Sequence, residues 1–136
     1  MIVVLDASSA GEIAAKSQAG VDLVNVLMQA DKVMAPDLFI AEICNVIWQL
    51  CRKGKEKADA DNSIANDCIG YVDEYVSSYE LWKEALRMAQ EQDHPVYDML
   101  YAVLARRHDA MVLTMDKRLY DICKSLSIRC KSAGLV

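Results

Sequence analysis

The stretch VYDMLYAVLARRHDAMVLTMDKR, residues 96–118, limits the folds open to this chain more than any other. Val96, Met99, Leu100, Val103 and Leu104 recur at the spacing of one helical face. The opposite side offers only Tyr101, Ala102 and Ala105 beside Asp98, and no further charge until Arg106. A helix that is apolar nearly all round belongs in an interior. A lone carboxylate there needs a partner or a cation, because an unpaired buried charge is very costly. Met111 to Leu113 then reads as a short buried strand, with Thr114 and Asp116 at its end. In an open parallel sheet, ligands gather beyond the carboxyl ends of the strands, so a second acid is delivered to the place where chemistry is expected.

The rest of the chain repeats that theme. Ile2 to Leu5, IVVL, is a β-branched apolar run that suits a strand buried on both faces, and it stops at Asp6. Ser8 or Ser9 is predicted to cap a short helix running to Lys16. Val21, Val24, Leu27 and Met28 space as a helix, and Val33 to Ala35 as a second strand. Pro36-Asp37 opens a long helix with Asp37 as its expected N-cap. Phe39, Ile43, Val46, Ile47 and Leu50 form its apolar face, and Glu42, Asn45, Gln49 and Arg52 the other. Glu42 borders the apolar stripe, and periodicity alone does not say whether it faces a cleft or water.

Arg52 to Lys57 reads as a basic turn around Gly54, and a helix bearing Ile64, Ala65, Cys68, Ile69 and Val72 follows. An extended piece at residues 72–76 leads to a Ser77/Glu80 capping box, which opens a helix with Leu81, Trp82, Ala85 and Ala89. Pro95 suits the first turn of the Asp98 helix. Leu119, Ile122, Cys123 and Leu126 mark another helix, and residues 128–130 a last edge strand. Strands alternating with helices predict a three-layer α/β/α sandwich around a mainly parallel sheet. With no repeat and no linker, residues 1–136 read as one domain.

Hydrophobic residues make up 54% of the 136, which argues against disorder. No apolar run reaches the roughly 18 residues a membrane span needs, and residues 1–5 are too short for a signal-peptide core. A cytoplasmic protein is the expectation. Five cysteines without a C-x-x-C pair suit reduced, mostly buried thiols rather than a disulfide frame or a zinc site. The net charge of −5 argues against a general nucleic-acid coat protein. It leaves room for an enzyme whose acids hold a metal and whose contact with nucleic acid is local.

The candidate site is Asp6, Glu42, Asp98 and Asp116. Carboxylates gathered without His or Cys suit hard cations such as Mg²⁺ or Mn²⁺. Four acids around such ions match phosphodiester hydrolysis, in which the ions stabilise the attacking and leaving oxygens. The hydroxyls of Ser8 and Thr114 are expected to hold a ligand or a metal-bound water. Each acid also has an ordinary reading: Glu42 as a solvated helix residue, Asp6 and Asp116 as N-caps. Asp98 is the hardest to dismiss. Asp22, Asp31, Asp59, Asp61, Asp67 and Asp121 read as surface acids. His94 and His108 read as structural or surface residues, and Trp48 and Trp82 as core or interface. Lys53, Lys55 and Lys57 read as a solvated turn or as phosphate contacts. Lys117 and Arg118, beside Asp116, are better placed to hold a substrate phosphate.

On these residues the sequence resembles the PIN-domain family, and is most similar to VapC-type toxins of toxin–antitoxin systems. The matching pieces are VVLDASSA at 3–10, APDLFIAEICNVI at 35–47, VYDMLYAVLA at 96–105 and LTMDKRL at 113–119, in the family's order. The resemblance implies a Mg²⁺- or Mn²⁺-dependent ribonuclease with metal-site acids at Asp6, Glu42, Asp98 and Asp116. It implies supporting polar roles for Ser8, Asn45 and Thr114. It also implies a homodimer and a cognate antitoxin, whose groove is expected among the helices between Asp37 and Val72. Residues 54–80 depart most from the family's pattern. A phosphoaspartyl phosphatase would want D-x-D where this chain has Asp6-Ala7-Ser8, and a dinucleotide-binding module would want G-x-G-x-x-G where it has DASSAG. A non-catalytic PIN-like scaffold that binds RNA or protein is the non-enzymatic rival, and an RNA-processing nuclease without antitoxin the enzymatic one.

Overall fold

A computed structural model describes residues 1–53 and 62–133. In chain order the elements are β1 (Ile2–Leu5), α1 (Ala7–Ala14), α2 (Gln18–Met28), β2 (Lys32–Pro36), α3 (Leu38–Arg52), α4 (Ser63–Gly70), β3 (Glu74–Val76), α5 (Ser78–Gln92), α6 (Val96–His108), β4 (Met111–Leu113), α7 (Lys117–Ser125) and β5 (Cys130–Lys131). The strands form one sheet in the order β3-β2-β1-β4-β5, and every pairing is parallel. β1 lies at the centre, and Val3, Val4 and Leu5 are completely buried, as the continuous apolar run requires.

The period of two along each strand splits these side chains between two cores. Val4, Met34 and Val112 pack with Leu81, Met99, Val103 and Leu119 of α5, α6 and α7. Val3, Leu5, Val33 and Leu113 pack with Leu23, Phe39, Ile43 and Cys68 of α2, α3 and α4. The result is a three-layer α/β/α sandwich. The all-round apolar helix is found where its composition demands, with Met99 through Ala105 of α6 all buried. Gly20 lets α2 pass close over the end of α1: a Cβ there would stand 2.1 Å from the Glu12 carbonyl oxygen.

Local signals were redirected at several helix starts. Ser8 and Ser9 lie inside α1 and do not cap it, since Asp6 occupies the N-cap position. That helix ends at Ala14, and Lys16 takes a left-handed conformation with φ 56°. Asp37 does precede α3, but its carboxylate does not cap it. It accepts from Ser78 N at 3.2 Å and from the Ser78 hydroxyl, so it ties the starts of α3 and α5 together. Ser77 caps α5 through Tyr79 N at 3.1 Å. Pro95 stands at the N-cap of α6 rather than within its first turn. The last strand starts two residues later and ends one later than expected, and Ile128 ahead of it packs into the core.

Trp48 and Trp82 are exposed rather than core, lying under the Arg52 and Lys83 side chains respectively. No disulfide joins the cysteines among the described residues; Cys68 and Cys123 are buried and Cys44 is exposed. Lys55, Lys57, Asp59 and Asp61 lie outside the described residues. Among the described residues no helix is long and apolar enough to cross a membrane.

Candidate active site

The chain runs from β1 to β2 on one side of the sheet and later places β4 on the other side of β1. This is a topological switch point, where a crevice opens beyond the strand ends. Asp6 sits at its floor. Its backbone N–H donates to Leu113 O at 3.0 Å, which carries the β1–β4 ladder one residue past the strand. Its side chain is 7% exposed. Oδ2 accepts from Thr114 Oγ1 at 2.6 Å and from Ser8 Oγ at 2.7 Å. The two hydroxyls are anchored in turn. Ser8 Oγ accepts from Met115 N at 2.9 Å, and Thr114 Oγ1 from Asp116 N at 3.0 Å. Burial pushes the Asp6 carboxyl above its ordinary value, against the pull of the Thr114 and Ser8 hydrogen bonds.

Glu42 lies one turn into α3 and is half-buried. Its Oε1 accepts from the Tyr101 hydroxyl at 2.6 Å. Burial raises its carboxyl, the phenol opposes this, and the charges of Asp6, Asp98 and Asp116 raise it further.

Asp98 occupies the first turn of α6, where the helix dipole favours an anion. Burial first, and then the charges of Asp116 and Asp6, nevertheless lift its pKa from 3.8 to about 6, against lowering by His94 and Arg118. His94 Nε2 stands 3.4 Å from Asp98 Oδ2. Its Nδ1 lies 3.0 Å from the Pro95 carbonyl, which can only accept, so Nδ1 carries the proton. Nε2 itself is buried without a hydrogen bond. Asp116 is the N-cap of α7, its Oδ1 accepting from Arg118 N at 2.8 Å.

Every pair among Asp6, Glu42, Asp98 and Asp116 interacts electrostatically. Four segments remote in sequence thus put their acids into one anionic crevice. The crevice is not a closed cage: among the described residues no three His, Cys, Asp or Glu side chains are drawn together as ready metal ligands. The reason lies in the hydrogen bonds and contacts above. Hydroxyls hold Asp6, a phenol Glu42 and a backbone amide Asp116, and an imidazole lies beside Asp98. The donor set fits a hard divalent cation, since all four acids offer oxygen and a cation would offset their shared negative charge.

The other candidates are placed as follows. Lys117 reaches Asp121 at 2.8 Å, four residues on, and both are exposed. Arg118 is exposed, but its charge reaches Asp98. Asn45 is exposed on α3 and takes no part in the hydrogen bonds described above. His108 ends α6, and its charge is felt at Glu74 rather than at the acids. Sequence reasoning passed over Tyr101 and His94 as partners of the acids. Each had a signal: His94 stands four residues before Asp98, just ahead of the helix, and Tyr101 three after it on the same helix.

A parallel α/β/α sandwich with four acids around the switch point of its central strand describes a class of protein. The chain belongs to the PIN domain family, whose model matches residues 3–125. It is similar to Ribonuclease VapC3 of Pyrobaculum aerophilum, with 26% identity over 123 residues, 89% of this chain and 94% of that protein. Its fold is similar to the crystal structure of PAE2754 from Pyrobaculum aerophilum, at a TM-score of 0.72 and 21% identity, covering 90% of this chain and 84% of that one. It is also similar to a chain of VapBC2 from Rickettsia felis, crystallised with a DNA fragment from its promoter. There the TM-score is 0.63 and the identity 14%, covering 96% and 98% of the two chains.

Proposed function

We propose that this protein is a divalent-cation-dependent endoribonuclease, the toxin of a type II toxin–antitoxin pair. One observation carries the reading: the charges of Asp6 and Asp116, beyond the carboxyl ends of β1 and β4, and those of Glu42 and Asp98 act on one another in every pair. Membership of the PIN domain family and likeness to a VapC ribonuclease support it. In this reading the four acids hold Mg²⁺ or Mn²⁺, and the cation supplies charge stabilisation at the scissile phosphate and a stronger nucleophile. Ser8 and Thr114 fix Asp6, and Asn45, three residues after Glu42 on α3, is assigned a supporting polar role. Lys117 and Arg118 hold an RNA phosphate. The Lys117–Asp121 pair is exposed and therefore weak, so Lys117 exchanges its partner easily.

The antitoxin belongs on the helices between Asp37 and Val72. An apolar hollow between α1, α3 and α4, lined by Gly11, Ala14, Val46, Ile47 and Leu50, supports that placement. A homodimer is supported by apolar side chains left uncovered on α5, where Tyr79, Trp82 and Leu86 share one stripe and are 84%, 44% and 44% exposed. The whole chain acts as one domain in the cytoplasm, where its thiols stay reduced.

The direct test is cleavage of single-stranded RNA by purified protein. Cleavage is expected with Mg²⁺ or Mn²⁺ and none with a chelator. Cleavage that persists in chelator overturns the cation dependence, and Mn²⁺ binding with no cleavage of any RNA in a transcriptome-wide end-mapping experiment overturns the nuclease reading. The second outcome would favour a binding scaffold.

The acidity of the site sets its pH range. A carboxyl raised to about 6 keeps its proton below that pH, and the proton competes with the cation. Mn²⁺ affinity is therefore expected to hold steady above pH 7 and to fall about tenfold for each pH unit below 6. Calorimetric titrations between pH 5 and 8 check this, and an affinity flat over that range would remove Asp98 from the ligands.

A further inference from the structure

We infer that Tyr101 is the positioning residue for Glu42, holding its carboxylate at the crevice from the core side. The inference rests on the cation-site reading above and adds to it a residue outside the set of acids and hydroxyls. Glu42 has one more rotatable bond than the three aspartates and stands on a helix face that is otherwise polar. Left alone, its carboxylate would sample rotamers in water, and each cation bound would have to order it. Tyr101 removes that freedom. It is 1% exposed, on the helix that is buried almost all round, so the ring has no room to move. Its hydroxyl lies 2.6 Å from Glu42 Oε1, 59 residues away in sequence. A phenol facing a carboxylate donates, and a charge-assisted bond of this kind is short and strong. With Oε1 held, Oε2 is the oxygen left to face a cation.

The ordinary alternative is that Tyr101 is a core residue and Glu42 merely satisfies its hydroxyl. A phenylalanine would fill the same space with no polar atom to satisfy. The hydroxyl therefore needs a reason, and the carboxylate it grips belongs to the acid cluster. The two accounts part in a double-mutant cycle. A structural hydroxyl would be missed equally with or without Glu42, whereas a positioning hydroxyl would be missed only when Glu42 is there to be positioned.

The experiment titrates Mn²⁺ by calorimetry into metal-free wild type, Tyr101→Phe, Glu42→Gln and the double variant, with thermal melts in chelator as a check on folding. Tyr101→Phe is expected to raise the Mn²⁺ Kd about tenfold, the size typical of losing a group that orients a ligand. In the Glu42→Gln background it is expected to change the Kd less than about twofold. An unchanged Kd in Tyr101→Phe, or an equal loss in both backgrounds, overturns the role of Tyr101 alone. A wild type that binds no Mn²⁺ overturns the cation site and this role with it. A readout independent of any variant is the Glu42 side chain of the metal-free wild type by NMR. Couplings of a single rotamer are expected, and rotamer averaging overturns the inference.

Discussion

Asp98→Asn is expected to abolish measurable RNA cleavage and to make the metal-free protein more stable. Groups that only orient a metal ligand are worth about 10–100-fold in affinity or activity. A ligand itself should be worth no less, so Mn²⁺ affinity and cleavage should each fall by roughly a hundredfold or more. Stability moves the other way. Burial and the charges of Asp116 and Asp6 raise the Asp98 carboxyl to about 6 in the folded chain. A carboxyl raised on folding is harmless below its unfolded value and opposes folding as pH rises through the folded one. Such an elevation is worth at most roughly 3 kcal/mol, and partial exposure of Asp98 reduces it to about 1 kcal/mol. In chelator at pH 8 the variant should therefore melt about 3–5 °C above wild type, with the gap closing near pH 4. A variant less stable than wild type at pH 8, or one that binds Mn²⁺ as tightly, would mean that Asp98 is not part of a repelling acid cluster.

What could be read from residues alone was what the backbone period decides. A β-branched run such as IVVL has few fates other than a strand buried on both faces, and the acid that ends it must then lie at the sheet's edge of chemistry. The same logic placed Asp116 after MVL, and it placed Asp98 on a helix with no polar side to spare. Glu42 marks where that logic stops. Its helix has one apolar face and one polar face, and nothing local distinguishes a polar side turned to water from one turned to a crevice. The decision is made by Tyr101, and the approach of α6 to α3 is a property of the packed layers. Ser8 and Asp37 went astray for a related reason. Both are good caps by local preference, but their side chains bond elsewhere: Ser8 to neighbouring Asp6 and to the distant Met115 N, Asp37 to the distant Ser78. Short polar side chains bond whichever group the tertiary fold brings nearest, and only the first few neighbours are visible in sequence.

Thr114→Val is expected to be the most destabilising of the shape-preserving changes in the site, because one hydroxyl serves two acids. Its Oγ1 donates to Asp6 Oδ2 at 2.6 Å and accepts from Asp116 N at 3.0 Å, at a position with no solvent access. Valine keeps the volume and removes both bonds. A hydrogen bond to a charged group is worth about 1.5–3 kcal/mol, and a buried amide left without an acceptor costs about 1–3 kcal/mol. A loss of about 3–5 kcal/mol follows at a pH where Asp6 is ionised, or roughly 10 °C or more in Tm. The loss should shrink in acid. Removing a donor raises the Asp6 carboxyl beyond the elevation burial already imposes. The variant therefore parts further from wild type as pH rises through the folded values, and once the acid is protonated in both only the cost of the unpaired Asp116 amide is left. Thr114→Ser keeps the hydroxyl and should keep most of the stability, which separates the hydrogen bonds from the lost methyl. Melting curves in chelator at pH 5 and pH 8 decide the matter. A valine variant as stable as wild type at pH 8 would show that Asp6 is carried by Ser8 and the Ala7 amide alone, and that the tie between the ends of β1 and β4 does not depend on Thr114.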